Sequence, residues 1–340
     1  MVARRTEDGL DGILVVNKPA GPTSHDVVAL VRRLSATRRV GHGGTLDPFA
    51  SGVLPVFLGR ATRLVEYHLA DRKAYRATVC FGAVSETDDL EGVLTPVDSA
   101  PVTREAVETA LAGMAGTVQQ RPPVYSAIKV GGRRAYALAR AGEAPVMTPR
   151  TVTLYRLALV SWDGSDPARP IVVVEVDCSP GTYVRAIARD LGEAVGSGAY
   201  LGALTRTASG GFRLEDAIPL DTLRTAASVH RSELERLLRP IDDGLDALPV
   251  VPLTDAEVDD TSQGRFVRPV AGFPAGDPDR PLRLVDRHGR LVAIGLRSAG
   301  RVVPTKVLID VAGRAPALPG PAGVPGDRDG DQVGDDEAAS

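Results

Sequence analysis

Gly41-His42-Gly43-Gly44-Thr45-Leu46-Asp47-Pro48-Phe49-Ala50-Ser51-Gly52-Val53-Leu54-Pro55 holds a single acid, Asp47, among glycines, small hydroxyls and apolar side chains. Gly41, Gly43 and Gly44 admit backbone shapes and close approaches that a Cβ would block. Pro48 fixes its own φ and drives Asp47 out of the helical region. The expected local structure is a turn that presents Asp47 instead of solvating it on a helix face. Alone, the stretch is equally compatible with an Asx-turn, in which the carboxylate caps nearby N–H groups. The flanking sequence decides between the two.

Upstream, residues 12–17 are a short β-branched apolar run that predicts a buried strand. Thr23 or Ser24 is placed to cap a helix ending near Ser35, with Val27, Val28, Leu30, Val31 and Leu34 on one face. Downstream, residues 53–58 resume an apolar segment, strands are expected at 75–81, 152–162, 171–178 and 199–208, and helices at 104–115, 134–141 and 182–194. Residues 240–252 read as a linker, followed by a short helix at 254–260, a hairpin at 282–285 and 291–296, and a last strand at 302–308. Residues 316–340 are rich in Pro, Gly, Asp and Ala and predict a disordered acidic tail.

In this order the segments resemble the TruB family, the bacterial tRNA pseudouridine-55 synthases. The Gly41–Pro55 stretch is similar to the family's catalytic motif. Gly12-Ile13-Leu14-Val15-Val16-Asn17-Lys18-Pro19-Ala20-Gly21-Pro22-Thr23-Ser24 resembles its opening strand and turn. Lys73-Ala74-Tyr75-Arg76, Pro122-Pro123-Val124-Tyr125-Ser126-Ala127-Ile128-Lys129 and Gly181-Thr182-Tyr183-Val184-Arg185 follow in the family's order. The likeness is close over about residues 10–215 and looser beyond. It implies an α/β (α+β) pseudouridine-synthase fold, with a large mixed, mostly antiparallel sheet flanked by helices, and a small C-terminal PUA-like β-rich domain. The implied organisation is a catalytic domain at 1–248 with an RNA-clamping segment at about 100–150, an RNA-binding domain at 249–315, and the tail at 316–340.

Composition narrows the chemistry. The formal charge of −3 is unexpected for an RNA-binding protein, but the last 25 residues carry −5, which leaves +2 on residues 1–315. Basic residues are concentrated locally: Arg32, Arg33, Arg38 and Arg39 in one cluster, and Arg121, Lys129, Arg133, Arg134 and Arg140 in another with no acid between. Such clusters are often only solvated faces. Beside a base-modifying motif they read as phosphate contacts, with Arg38, Arg39, Lys129, Arg133 and Arg134 as the RNA-backbone candidates. Cys80 and Cys178 are far apart, no metal-ligand spacing is present, and no apolar run reaches membrane-span length. The expectations from composition are a cytoplasmic enzyme with no metal, no cofactor and no membrane; the resemblance adds the tRNA T-arm as partner, with no obligate protein partner.

Turning uridine into pseudouridine breaks the N-glycosidic bond and rejoins the base through carbon. A carboxylate can serve as nucleophile, at the sugar C1′ or at ring C6. The resemblance makes Asp47 that group, Arg185 its ion-pair partner and Tyr75 the aromatic plane for the base. It also implies that His42 helps to extrude the nucleotide, that Tyr183 contacts the base and that Leu204 lines the pocket. Apart from the resemblance, Tyr75 and Leu204 fit core positions, Arg185 a phosphate contact or solvated helix residue, and His42 a hydrogen-bonding or acid–base role. Lys18 fits either a phosphate contact or a structural turn. Three other functions compete. One is a tRNA-folding factor with catalysis secondary; another is a guide-dependent synthase acting on ribosomal RNA. The weakest is a retaining glycosidase, which needs two carboxylates about 5 Å apart.

Overall fold

The computed structural model describes residues 9–309. Its centre is a ten-stranded sheet. From edge to edge the main path runs Ile218–Pro219, Gly12–Lys18, Ser51–Leu58, Ala199–Ser209, Lys73–Phe81, Ile171–Cys178, Arg150–Asp163 and Gly116–Gln120. Val40–His42 pairs beside Ser51–Leu58, and Phe212–Arg213 beside Ala199–Ser209. Two pairings are parallel, Gly12–Lys18 with Ile218–Pro219 and Ser51–Leu58 with Ala199–Ser209. The other pairings are antiparallel. This is the mixed, mostly antiparallel sheet the sequence led us to expect.

The strand alternation explains why the sheet is covered unevenly. Side chains two residues apart share a face. Leu14 and Val16 on the opening strand, with Leu54, Val56 and Leu58 on its neighbour, join the main core. Ile13, Val15, Val53 and Phe57 point the other way into a second apolar cluster with Phe212. On Ile171–Cys178 only Val172, Val174, Val176 and Cys178 are buried, and the alternate residues are partly open. Helices Ser24–Ser35, Arg104–Met114, Val184–Ala194 and Leu220–Val229 contribute to the main core through Val27, Val31, Val107, Leu111, Ile187, Leu191 and Leu223.

The first helix starts where a capping box places it. Thr23 Oγ1 accepts from the Asp26 N–H at 3.1 Å, and Asp26 Oδ2 accepts from the Thr23 N–H at 2.8 Å. Ala36, at φ 50°, ends it in the left-handed region.

One close approach fixes the middle of the sheet. Gly52 sits at φ 107°, and a Cβ there would strike the Arg206 backbone. The two residues are register partners in the parallel pairing. Gly52→Ala is therefore expected to lower unfolding free energy by at least ~3 kcal/mol, combining left-handed strain with a backbone collision. Urea unfolding of the variant checks this; a loss below ~1 kcal/mol would contradict it.

A separate four-stranded sheet follows: Val250–Pro252, Leu282–Val285, Leu291–Ser298 and Arg301–Val307. Helix Asp255–Ser262 packs on it, opened by a second capping box between Thr254 and Glu257. The segment 240–252 is not a loose linker. Ile241, Leu245 and Leu248 pack with Leu64 and Tyr67 on one side and Val285, Leu291, Ile294 and Leu308 on the other. Its end, Val250–Pro252, is itself a strand. Polar contacts reinforce the junction. Arg60 Nη1 donates to the Leu308 carbonyl at 2.8 Å, Arg63 donates to the Val307 carbonyl, and Lys306 Nζ lies 2.8 Å from Glu66.

Short elements were not anticipated, notably Gly116–Gln120 and the hairpins Ala83–Ser85/Leu94–Pro96 and Lys129–Val130/Arg133–Arg134. They lack enough buried positions to show a period. The expected helices at 134–141 and 182–194 are Ala135–Arg140 and Val184–Ala194. The tail at 316–340 lies outside the described residues.

Candidate active site

The loop 43–50 joins strand Val40–His42 to strand Ser51–Leu58. It closes with a turn in which the Ala50 N–H donates to the Asp47 carbonyl at 3.1 Å. Only one of its three leading glycines uses a left-handed conformation: Gly44, at φ 117°. Gly43 is needed for space, since a Cβ would approach Phe57 to 3.0 Å. Gly41, in the strand before the loop, is neither left-handed nor crowded, so it uses neither freedom.

Buried polar side chains hold this loop from below. Ser24 Oγ donates to the Leu46 carbonyl at 3.0 Å and accepts from the Leu46 N–H at 2.8 Å. Lys18 is fully buried, and its ammonium donates to the carbonyls of Pro19, Pro22 and Pro48. The Pro48 carbonyl also accepts from the Gly21 N–H at 2.8 Å. Lys18 thus ties the Lys-Pro turn to the residue after Asp47 and cannot reach phosphate, so the phosphate reading is excluded. Burial lowers its pKa to about 8, with the nearby Asp47 charge opposing that shift. Arg206 supplies a further clamp, through the carbonyls of Gly44, Thr45 and Val53.

Asp47 itself remains reachable, with a side chain 36% exposed. Arg185 Nε lies 3.2 Å from its Oδ2. The approach is an ion pair without hydrogen-bond alignment, since Nε satisfies no hydrogen bond. The two residues, 138 positions apart in sequence, meet at the start of helix Val184–Ala194, which packs on strand Ala199–Ser209 beside Ser51–Leu58. The entry of that helix is fixed by Gln120, whose amide donates to the Tyr183 carbonyl and whose carbonyl oxygen accepts from the Tyr183 N–H at 2.8 Å.

The rest of the Arg185 guanidinium is committed elsewhere. Nη1 donates to Asp89 Oδ2 and the Thr87 carbonyl, each at 3.1 Å, and Nη2 to the Tyr125 carbonyl at 3.0 Å. Asp89 is 3% exposed, and its other oxygen accepts from Thr87 Oγ1 and the Glu91 N–H. A buried, saturated carboxylate on one side of Arg185 and an accessible one on the other makes the arginine a fixed bridge. Next to it, Arg189 pairs with Asp88 at 2.8 Å and donates to the Arg121 carbonyl.

Tyr75 lies on Lys73–Phe81, in register with Val176 and Arg206. It packs partly against the core, and burial raises its phenol pKa. The Arg206 charge opposes that rise. The hydroxyl stays protonated near neutral pH, which disfavours it as a base. Tyr183 stands at the N-cap position of the Val184–Ala194 helix, two residues before Arg185. Leu204 is buried and packs in the main core.

His42 ends Val40–His42 half-buried, five residues before Asp47. Desolvation first, then His25 and Arg206, hold its imidazole below the ordinary range. Its buried Nδ1 has no hydrogen-bond partner among the described residues. The ring meets His25 edge-on, with centroids 5.5 Å apart. The imidazole is therefore neutral near neutral pH.

The charged candidates are more peripheral. Arg38 and Arg39 are exposed in the turn after the first helix. Lys129, Arg133 and Arg134 are exposed on the small hairpin, where Lys129 faces Arg134. Arg133 pairs with Glu143 at 2.7 Å, and Arg134 donates to the Ala127 carbonyl at 3.1 Å.

Sequence reasoning missed Asp89, Arg206 and His25. Asp89 sits in Ser85-Glu86-Thr87-Asp88-Asp89-Leu90-Glu91-Gly92, which has the composition of a solvated turn. The one available signal for Arg206 was a charge inside the apolar strand at 199–208. Among the described residues, no cluster of three or more His, Cys, Asp or Glu could hold a metal ion, and no helix is long and apolar enough to cross a membrane.

Residues 32–184 match the N-terminal domain of the TruB family pseudouridylate synthases, and residues 185–246 match the tRNA pseudouridylate synthase B C-terminal domain. The second segment starts at Arg185 and ends before the four-stranded sheet. A tRNA pseudouridine synthase B from Synechococcus elongatus is 43% identical over 300 residues, spanning 88% of this chain and 98% of that one. One from Bradyrhizobium diazoefficiens is 41% identical, spanning 89% and 87%. Among solved structures, a chain of a Cbf5–Nop10–Gar1 complex superposes with a TM-score of 0.70 at 27% identity, covering 89% and 86%. A chain of an archaeal box H/ACA sRNP Nop10–Cbf5 complex gives 0.69 at 25%, covering 89% and 88%.

Proposed function

Because the chain belongs to the TruB family of pseudouridylate synthases, we propose that it converts uridine-55 to pseudouridine in the tRNA T-loop, with Asp47 as nucleophile. The observation that carries this reading is the 3.2 Å approach of Arg185 to an accessible carboxylate on a clamped loop. Asp47 attacks the flipped nucleotide at ring C6 or at the sugar C1′, and the N-glycosidic bond breaks. The base turns, C5 bonds to the sugar C1′, and the Asp47–carbon bond breaks to return the free carboxylate. The C5 proton leaves to solvent and N1 takes one up, so the product is an isomer and no redox partner is required.

Arg185 holds the carboxylate oriented. Tyr75 offers a plane for the extruded base, and stacking tolerates rotation of that base about its own axis. His42 fills space left in the RNA loop, which offsets part of the few kcal/mol lost on unstacking. Tyr183 and Leu204 border the pocket. Arg38, Arg39, Lys129, Arg133 and Arg134 meet the phosphate backbone. The four-stranded sheet with its helix is the PUA-like RNA-binding module of residues 249–315.

The test is direct. The purified chain should isomerise one uridine in an isolated tRNA T-arm stem-loop, mapped by pseudouridine-specific chemical modification. The likeness to chains solved within box H/ACA assemblies supports a second reading, in which another RNA is the substrate and partners are required. Failure on the T-arm alone, with activity restored only by added protein or guide RNA, would favour that second reading.

A further inference from the structure

Arg206 is the largest fully buried side chain of the described residues, 1% exposed, and no carboxylate pairs with it there. A buried charge is normally matched by an opposite one. This one is matched by three backbone carbonyls. Nε donates to Val53 at 2.7 Å, Nη2 to Gly44 at 3.1 Å and Nη1 to Thr45 at 3.3 Å. The acceptors lie on both sides of Asp47. Two are at the loop's entrance and one is in the strand that leaves it.

The Arg206 backbone adds to this grip. It is in register with Gly52 in the parallel pairing, so tightly that a Cβ on Gly52 would collide with it. On its other side Arg206 is in register with Tyr75. One residue therefore touches the entrance of the nucleophile loop, its exit and the strand carrying the stacking tyrosine. A neutral side chain would close the fold there without burying a charge.

We propose that Arg206 is a positioning residue for the isomerisation, holding the Asp47 loop at a fixed height relative to Tyr75 and Arg185. The proposal rests on Asp47 being the nucleophile. Its charge has a second effect. Beside the larger effect of burial, it opposes protonation of His42 and Lys18 and favours ionisation of Tyr75.

Geometry and charge can be separated. Arg206→Lys keeps the charge but replaces a planar fork by one point donor, which cannot span three carbonyls. Arg206→Gln removes the charge as well. On a T-arm stem-loop, kcat should fall about 10- to 100-fold for Arg206→Lys and further for Arg206→Gln. KM and stem-loop affinity should stay within about threefold, because no proposed RNA contact is altered. A merely structural arginine would lower the folded fraction and leave kcat per folded molecule unchanged. Gly44→Ala tests the same clamp from the other side, since a Cβ at φ 117° must re-seat the carbonyl that accepts from Nη2. It should show the same loss in kcat at unchanged KM. It also stands in for the arginine variants if they fail to fold.

Asp47→Asn runs beside them. If it is inactive while a folded Arg206→Lys or Gly44→Ala keeps kcat within about twofold of the native enzyme, the positioning role is overturned and the nucleophile reading stands. Turnover by Asp47→Asn overturns both.

Discussion

Asp47→Asn should lose turnover by a factor on the order of 10⁴ or more while still binding the T-arm stem-loop within about threefold of the native affinity. The amide is isosteric but cannot attack carbon as a carboxylate does. The variant should also fold normally. Arg185 loses one partner but keeps Asp89, Thr87 and Tyr125, so its guanidinium stays seated. The loop keeps its attachments to Lys18, Ser24 and Arg206, none of which involves the Asp47 side chain. Tritium release from C5-labelled uridine is the readout, with a filter-binding titration alongside. Turnover within tenfold of the native enzyme would remove Asp47 from the chemistry.

Arg185→Lys should come next in size, with kcat down on the order of 10²- to 10³-fold. A lysine can reach one carboxylate but cannot bridge Asp47 and Asp89 while bonding two carbonyls. The Asp89 carboxylate, 3% exposed, would then be buried with weakened compensation. Unfolding free energy should therefore fall by about 3 kcal/mol, the usual scale for breaking a buried pair. Asp89→Asn separates the two effects. It keeps Asp47–Arg185 contact possible but loosens the far side of the arginine, so its kcat loss should be smaller than that of Arg185→Lys. An Asp89→Asn loss equal to or larger than that of Arg185→Lys would mean that Asp89, not Arg185, governs the site.

Much of this was legible because the informative residues are short-range or patterned. The capping residue Thr23, the period of Val27 to Leu34 and the strand alternation after Lys73 all follow from local chemistry. Asp47 and Arg185 could be paired from the sequence because each stands in a short segment that resembles a family motif, and the fold brings them within 3.2 Å. Asp89 was not, since its importance comes from what the fold buries over it, and a turn of acids looks solvated until Arg185 arrives from 96 residues away. Arg206 was hidden for a related reason: its partners are carbonyls, which every residue has. Lys18 was ambiguous between phosphate and structure until its burial decided. The segment 240–252 was misread because Pro and Gly among a few leucines resemble a tether, and only the second sheet reveals that Leu245 and Leu248 have something to pack against.

That junction has a mechanical consequence. Two modules joined by a polar tether drift relative to one another; those joined across an apolar seam with paired charges at its margin do not. Here Leu64 and Tyr67 on one side and Leu291 and Ile294 on the other close around Leu245, and Arg60, Arg63 and Lys306 bolt the rim. The chain behaves as a calliper with its screw tightened. On the proposed function, an RNA held by both sheets is measured at one setting, and the distance between its held helix and its reacting loop becomes a property the protein can accept or refuse.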